Sequence, residues 1–158
     1  MTAKGLPSTD PAFLVATWFG TGRLPIAPGS WGSLAALPFA AALAWLGGPL
    51  LVLVASALLL LAGVWAASRY MEAFGEHDPG AVVIDEVVGQ WLAVAFLPLS
   101  PIGYLLGFVL FRITDVTKPW PANWIDRRME GAWGVMLDDV VAGIYAALAA
   151  MLVLSFLP

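Results

Sequence analysis

Long apolar segments alternate with short polar ones along most of the chain, which has 158 residues. The apolar segments cover residues 11–19, 31–47, 50–70, 81–97, 102–117 and 140–157. A helix that crosses a membrane needs about 20 residues, with a range of about 17–25, so the first segment is too short to cross and is expected to lie in the interface. The others predict an all-α, polytopic membrane helical bundle with about five membrane-embedded helices.

Glycine, proline and capping residues mark where these segments begin and end. The sequence GGP at 47–49 breaks the chain, and PLSP at 98–101 breaks it again. Ser30 and Asp78 stand where the N-cap of a helix is expected. Because PLSP is a tight, uncharged turn, residues 81–117 form either two spans or a re-entrant hairpin whose ends return to the same side.

The charged residues gather on one face of the predicted bundle. If the segments cross alternately, the N-terminus and the polar stretches 20–30, 71–80 and 118–139 share that face. The basic residues at or beside these stretches are Lys4, Arg23, Arg69, Arg112, Lys118, Arg127 and Arg128. Lys and Arg collect on the cytoplasmic side of membrane proteins, so this face is predicted to be cytoplasmic. Residues 1–10 lack the apolar core of a secretory signal and are interpreted as a short cytosolic tail.

Composition supports the membrane class and removes several kinds of chemistry. The chain is 61% hydrophobic and 11% charged, with a mean hydropathy of +0.87, whereas soluble domains carry about 25% charged residues. Its length fits a single membrane-embedded domain over residues 1–158. Cysteine is absent and His77, expected at the surface, is the sole histidine, which excludes thiolate sites and histidine pairs. No basic run indicates nucleic-acid binding.

Two pairs of adjacent acids stand near the start of apolar helices: Asp85 with Glu86, and Asp138 with Asp139. A charge in hydrocarbon costs about 2.5–3.5 kcal/mol on insertion scales, so it usually has a partner or a function. Acids in a first turn also gain about 0.3–1 kcal/mol from the helix dipole, which alone would explain the second pair. Small residues follow both pairs at helical spacing, namely Gly89, Ala93, Gly143 and Ala147. Small faces let helices approach closely, which would bring the two acidic pairs together.

A third charged group follows the 102–117 segment. Arg112, Asp115 and Lys118 are spaced three apart and share one side of a helix as long as it persists, although Pro119 disfavours its continuation. Arg112 lies nearer hydrocarbon, so it is expected to pair with Asp115 or with a phosphate. The two bases alone could simply mark the cytoplasmic boundary.

Carboxylates and bases gathered at one surface indicate a bound cation and an anionic substrate. Since neither cysteine nor a histidine pair is present, the expected ion is Mg²⁺, which prefers oxygen ligands. Phosphate fits both a guanidinium fork and a compact ammonium group. The residues therefore predict chemistry on a phosphorylated lipid head group.

Four motifs, in this order, resemble those of the bacterial phosphatidylglycerophosphatase A family. They are GTGRLPIAPGS (20–30), DPGAVVIDEVVGQ (78–90), FRITDVTKPWP (111–121) and GVMLDDVVAG (134–143). The resemblance extends from about residue 17 to the end of the chain. Departures are small: Ser30 stands where the family usually has Thr, and GAWG at 131–134 where GGxG is usual.

The resemblance implies a Mg²⁺-dependent phosphatase that hydrolyses phosphatidylglycerophosphate to phosphatidylglycerol and inorganic phosphate, on the cytoplasmic side of the bacterial inner membrane. The residues assigned to the metal are Asp85, Glu86, Asp115 and Asp139. Asp138 is assigned as a general base or as a residue that orients a ligand, because adjacent helical residues point about 100° apart and only one of the pair is expected to face the metal directly. The residues assigned to phosphate binding are Arg112, Lys118 and Arg23. Lys118 also counts among the catalytic residues, since it would stabilise charge during transfer.

Other functions remain open at this point. A phosphatase for another lipid or isoprenoid phosphate would use the same site, because neither fold nor motif fixes the substrate. A head-group transferase would need an Asp-Gly-x-x-Ala-Arg sequence that the chain lacks. A small non-enzymatic transporter would carry charges at the bilayer midplane or on both faces, in contrast to the pattern here. The attacking group is either a water or a carboxylate that forms a phospho-aspartate.

Overall fold

The computed structural model describes residues 5–156, and every regular element in that range is helical. The elements are α1 (Pro11–Ala16), a 3-10 turn (Thr21–Arg23), α2 (Pro28–Phe74), α3 (Ile84–Val94), α4 (Pro101–Thr117), α5 (Ala122–Arg128) and α6 (Gly131–Ser155). Lys4 of the predicted cytosolic tail and Leu157, the predicted end of the last segment, lie outside the described residues. The predicted all-α class is confirmed.

Helix α2 is a hairpin of two arms that meet at Gly48. This residue has a non-helical backbone (φ 66°, ψ −163°) and Pro49 follows it. A Cβ placed on Gly32 would lie 2.9 Å from Val83, and one placed on Gly63 would lie 3.2 Å from Ile84. In a straight helix these two glycines would be about 46 Å apart, yet both contact adjacent residues. The chain therefore reverses at the GGP sequence, where the break was predicted.

The predicted number of about five membrane-embedded helices is wrong by the criteria of length and composition. Two helices, α2 and α6, are long and apolar enough to cross a membrane. Helix α3 has 11 residues and spans about 16 Å, roughly half of the ~30 Å hydrocarbon core. Helix α4 has 17 residues, at the lower limit for a span. Several apolar segments were predicted to be spans because hydropathy does not show where turns shorten a helix.

Helices α3 and α4 form a hairpin inside the bundle. A Cβ on Gly107 of α4 would lie 2.7 Å from Val94 of α3, so the two helices pack in contact near their connection. Asp85 at the start of α3 and Asp115 near the end of α4 line the same cavity. The two ends of 81–117 thus return to one side, as both predicted arrangements of this region require.

Small residues bring α3 against α6, as the sequence predicted. A Cβ on Gly143 would collide with the backbone carbonyl of Gly89, and a Cβ on Gly89 would lie 2.6 Å from the carbonyl oxygen of Asp139. Thr114 Oγ1 donates a 2.9 Å hydrogen bond to the Ala142 carbonyl, which ties α4 to the same face of α6. The first turn of α3, with Asp85 and Glu86, consequently lies beside Asp138 and Asp139 of α6. Because α6 begins at Gly131, this second acidic pair lies about two turns inside the helix, and its predicted place at the helix start is wrong.

The outer surfaces of the long helices are apolar. Large exposed side chains occur on both arms of α2, on α4 and on α6, for example Trp45, Leu50, Ile102 and Phe156. Soluble monomers rarely expose large contiguous apolar patches. This exterior favours contact with lipid.

Candidate active site

The predicted carboxylates surround one cavity of about 590 Å³. Helices α2, α3 and α6 begin at this end of the bundle, and α4 ends there, which explains why residues distant in sequence meet. The charged residues of the lining are His77, Asp78, Asp85, Glu86, Asp115, Lys118, Asp126, Glu130, Asp138 and Asp139. All five predicted carboxylates and Lys118 are therefore brought together.

Asp85, Glu86 and Asp139 form a compact group, here called the acidic centre. One carboxylate oxygen from each lies within 4.8 Å of the others. Asp85 Oδ1, Glu86 Oε2 and Asp139 Oδ2 are buried and have no hydrogen-bond partner among residues 5–156. Buried carboxylates without partners are costly, and close like charges add to that cost. An all-oxygen set of this kind fits a hard divalent cation such as Mg²⁺.

Asp115 lines the cavity but lies outside this compact group. Its Oδ2 lies 2.7 Å from Arg112 Nη1 and forms an ion pair with it, so the predicted pairing of these two residues is confirmed. Arg112 also contacts the Ser33 hydroxyl at 3.4 Å, and it is absent from the cavity lining. The structure places Arg112 against Asp115, a carboxylate of the cavity lining. Its predicted role in phosphate binding stays a prediction.

Lys118 is held between two carboxylates, an arrangement here called the Lys118 bridge. Its Nζ donates to Asp126 Oδ1 at 2.5 Å and to Asp138 Oδ2 at 2.6 Å. Helix α4 ends at Thr117, and Lys118 adopts a left-handed backbone (φ 42°) that turns the chain towards α5. Burial alone would lower the pKa of the Lys118 amine, but the hydrogen bonds and charges of Asp126 and Asp138 raise that pKa above its ordinary value. Lys118 is therefore a permanent cation in the cavity.

The two adjacent acids of α6 have different partners. Asp138 accepts the Lys118 hydrogen bond, whereas Asp139 belongs to the acidic centre. Because neighbouring helical residues point about 100° apart, Asp138 faces the Lys118 ammonium and Asp139 faces the candidate metal position. The two side chains diverge as their helical spacing predicted, and the roles assigned to them stay predictions.

The glycine-rich loop contributes a close backbone approach that the sequence analysis missed. A Cβ on Gly29, in the first turn of α2, would collide with Glu86 Oε1 and lie 3.4 Å from Arg112 Nη1. The buried Ser33 hydroxyl, one turn later, donates to the Gly29 carbonyl at 2.9 Å. Glycine at position 29 is thus required for the Glu86 carboxylate to take its place. The partners come from α3 and α4, so spacing within the loop gave no signal.

Arg23 does not join the cavity. Its guanidinium lies 5.8 Å from the centre of the Phe13 ring, it is exposed, and it is absent from the lining. The preceding Gly22 is pressed against the backbone of Ala81, which fixes the 3-10 turn with Arg23 directed outward. The predicted role of Arg23 in phosphate binding has no support from this position.

Asp126 and His77 are lining residues that the sequence analysis did not select. Asp126 lies in the short helix α5, which no apolar period predicted, and it reaches Lys118 only because the chain folds back after α4. His77 is exposed, as expected, yet its position places it at the cavity edge. Neither residue carries a spacing signal in the sequence.

Comparison with known proteins gives matches over most of the chain. The profile of the family Phosphatidylglycerophosphatase A matches residues 14–154. The chain is 41% identical over 143 residues to phosphatidylglycerophosphatase A of Escherichia coli strain K12, an alignment that covers 90% of this chain and 83% of the relative. It is 38% identical over 146 residues to phosphatidylglycerophosphatase A of Haemophilus influenzae, with 92% and 90% covered.

A third relative carries a different name. The chain is 39% identical over 146 residues to a protein of Bacteroides thetaiotaomicron named putative phosphatidylinositol-3-phosphatase, with 84% of this chain and 87% of the relative covered. No solved structure shows significant similarity to the chain.

An all-helical chain with an acidic cavity and relatives of these names falls in the class of phosphoric monoester hydrolases. It belongs to the phosphatidylglycerophosphatase A family.

Proposed function

We propose that this chain is a Mg²⁺-dependent phosphatase that converts phosphatidylglycerophosphate to phosphatidylglycerol and inorganic phosphate. The observation that carries the proposal is the acidic centre, with its three unpartnered carboxylate oxygens, in the same cavity as the Lys118 cation. Family membership supports the substrate, since two relatives carry the name of that activity.

The acidic centre would hold the metal ion. Asp85, Glu86 and Asp139 supply its ligands, and Asp115 lies close enough in the lining to act as a further ligand directly or through water. A bound Mg²⁺ supplies Lewis-acid stabilisation of the charge on a transferring phosphate. Gly29 keeps Glu86 in position for this role because its missing side chain leaves room for the carboxylate.

Lys118 would bind the phosphate and stabilise charge in transfer. Among the lysines and arginines of residues 5–156, it is the one that lines the cavity, and its raised pKa keeps it protonated. Hydrolysis breaks the bond between phosphorus and the glycerol oxygen and adds one water, whose proton passes to a carboxylate while the leaving oxygen takes up a proton. Asp138 would be the carboxylate that takes the proton. It lies on α6 beside Asp139, accepts a hydrogen bond from Lys118, and does not belong to the acidic centre.

We also propose that the chain crosses the cytoplasmic membrane of a bacterium several times, with the cavity facing the cytoplasm. Two helices of sufficient length and an apolar exterior support membrane insertion. Among residues 5–156, the basic residues Arg23, Arg69, Arg112, Lys118, Arg127 and Arg128 lie in or near the segments that line the cavity. The positive-inside rule assigns that side to the cytoplasm. A lipid head group would then meet the cavity at the membrane surface.

A second candidate is a phosphatase for another lipid phosphate. The relative named putative phosphatidylinositol-3-phosphatase favours it, because 39% identity over 146 residues links this chain to a protein with a different named substrate. The acidic centre and Lys118 would serve either head group, since both present a phosphate monoester to the same groups.

The test is phosphate release by purified protein in detergent or vesicles. The substrates are phosphatidylglycerophosphate, phosphatidylinositol 3-phosphate, phosphatidate and an isoprenoid phosphate, each with Mg²⁺ and with excess chelator. We expect phosphatidylglycerophosphate to have the highest kcat/KM and chelator to abolish turnover. Preference for the inositol lipid would establish the second candidate, and release in excess chelator would overturn the metal-dependent mechanism.

A further inference from the structure

Lys118 is held by acids from two different helices, and one of them has no role in the proposed chemistry so far. Asp138 projects from α6, next to the acidic centre, while Asp126 projects from the surface helix α5. The two contacts are nearly equal in length, 2.5 Å to Asp126 and 2.6 Å to Asp138. Asp126 also lines the cavity.

The number of N–H donors on the Lys118 ammonium determines how far two carboxylates fix its orientation. A lysine ammonium has three N–H donors and no acceptor, and two of them are engaged by the carboxylates. A tetrahedral nitrogen with two fixed donors has its third donor fixed as well. With one partner, the group would still rotate about the remaining Nζ···O contact. With two, the free donor has one direction, and Lys118 is a lining residue of the cavity.

We propose that Asp126 is a positioning residue for phosphate hydrolysis, which fixes the Lys118 ammonium so that its free N–H donates to the substrate phosphate. This inference rests on the proposed function. A lysine side chain is a flexible four-carbon stem with a rotatable head, so Asp138 alone leaves the donor undirected. A donor aligned in advance on developing charge contributes more than one that must reorient during the reaction.

Asp126 is not placed to serve fold stability. The Asp126 side chain is 39% exposed and that of Lys118 is 32% exposed, and exposed ion pairs add little to the free energy of unfolding. Loss of this carboxylate should therefore change turnover while leaving thermal unfolding nearly unchanged. A residue that only fixed α5 in place would show the opposite pattern.

The experiment is a double-mutant cycle. Wild type, Asp126→Asn, Lys118→Ala and the double variant are compared for kcat and KM on phosphatidylglycerophosphate with Mg²⁺, and for binding of inorganic phosphate by calorimetry. Asparagine keeps the shape of the side chain and removes its charge. Phosphate binding is independent of turnover, so it remains measurable where Lys118→Ala is too slow to assay.

We expect Asp126→Asn to lower kcat by roughly 10- to 100-fold, the range seen when a partner that orients a functional side chain is removed, with a smaller change in KM. Asp126→Glu should recover part of the loss, because the carboxylate is retained. In the Lys118→Ala background, Asp126→Asn should change neither kcat nor phosphate affinity further. The matched control is Glu72→Gln, an exposed acid of α2 outside the cavity lining, which should behave as wild type.

Three results would overturn the inference. Wild-type kcat in Asp126→Asn shows that Lys118 needs no second carboxylate. An equal further loss in the Lys118→Ala background shows that Asp126 acts on substrate or on α5 directly. If wild type releases no phosphate from any of the four lipid and isoprenoid substrates, the proposed function fails and this inference fails with it, whereas the first two results leave the function standing.

Discussion

The acidic centre and the Lys118 bridge share one cavity but are built from different parts of the fold. Asp85, Glu86 and Asp139 project from α3 and α6, two helices that touch through glycine at Gly89 and Gly143. The Lys118 bridge depends on the end of α4 and on α5, a helix of seven residues. The carboxylates are thus fixed by close helix packing, whereas the cation is fixed by two ion pairs, one to the exposed Asp126 and one to the buried Asp138.

This difference predicts how each part responds to substitution. Changes in the acidic centre should affect metal binding and activity together, because three of its carboxylate oxygens have no hydrogen-bond partner among residues 5–156 and would be the ligands of the proposed ion. Changes at the bridge should affect activity in a graded manner, since the ion pair with the exposed Asp126 is weak and screened by salt, whereas Asp138 is buried.

The largest effect is expected for Asp85→Asn. Removal of a partner that merely orients a metal ligand costs about 10–100-fold, so loss of a ligand should lower kcat/KM by more than about 100-fold. Thermal unfolding is measured with and without Mg²⁺. Wild type should gain stability on binding the ion, by about 2.7 kcal/mol at 100 times the dissociation constant, and the variant should gain much less.

Without Mg²⁺ the Asp85→Asn variant should unfold no earlier than wild type, because it removes one of three crowded negative charges. Full activity of Asp85→Asn, or an equal Mg²⁺ shift in both proteins, would contradict the assignment of the acidic centre as a metal site.

The same contrast explains how much could be predicted from the sequence. Helical spacing placed the acids Asp85 and Asp139 near small residues, so the meeting of α3 and α6 could be predicted before the structure was known. Lys118 was selected because it follows Arg112 and Asp115 at a spacing of three, but its partner Asp126 lies in α5, whose position depends on the turn after α4. Local patterns specify helix faces, whereas long-range contacts from loops depend on the complete fold.

The wrong prediction of the number of spans has an equally specific cause. The number was overestimated because α3 has 11 residues and α4 has 17, below and at the lower limit for a span, although both come from apolar segments. Hydropathy reports burial in a low-dielectric environment, and protein and lipid both provide one.

Gly29→Ala tests the boundary between the loop and the acidic centre. In an ordinary helix interior, Gly to Ala stabilises by about 1 kcal/mol. Here the added Cβ would collide with Glu86 Oε1, so we expect a harmful effect. Activity should fall by roughly 10- to 100-fold if Glu86 is displaced from the proposed metal, and Mg²⁺ should stabilise the variant less against unfolding.

The matched control is Gly80→Ala, since a Cβ at Gly80 has no neighbour within 4 Å. It should retain activity and its Mg²⁺ response. If Gly29→Ala behaves like Gly80→Ala, Glu86 can move without loss and the close approach of the loop has no functional role.

Arg112→Ala distinguishes the two roles that the sequence left open for Arg112, pairing with Asp115 and binding of the phosphate. The structure pairs Arg112 with Asp115, whose side chain is 12% exposed, and removal of one partner from a largely buried acceptor costs about 1–3 kcal/mol. We therefore expect a lower unfolding temperature and a lower kcat, with Arg69→Ala, an exposed arginine of α2, as the unchanged control. An Arg112→Ala protein of normal stability with a raised KM would show instead that Arg112 binds substrate.

The smallest effect is expected for the exposed arginines of α5, Arg127 and Arg128. Neither makes an ion pair within residues 5–156, and neither lines the cavity. Near an anionic membrane each arginine is worth about 1 kcal/mol, which corresponds to roughly fivefold in binding. Arg127→Gln and Arg128→Gln should accordingly raise KM on anionic vesicles by a few-fold while kcat stays the same.

Salt gives this last prediction its control, because attraction between an exposed charge and a lipid surface is screened over about 8 Å at physiological ionic strength and about 3 Å at 1 M. The KM difference between these variants and wild type should disappear as salt is raised, whereas the kcat loss of Lys118→Ala should persist. Suppose instead that Arg127→Gln abolishes kcat at every salt concentration while Lys118→Ala changes only KM. The phosphate would then bind at the 122–133 loop, and the Lys118 bridge would be a structural contact beside it.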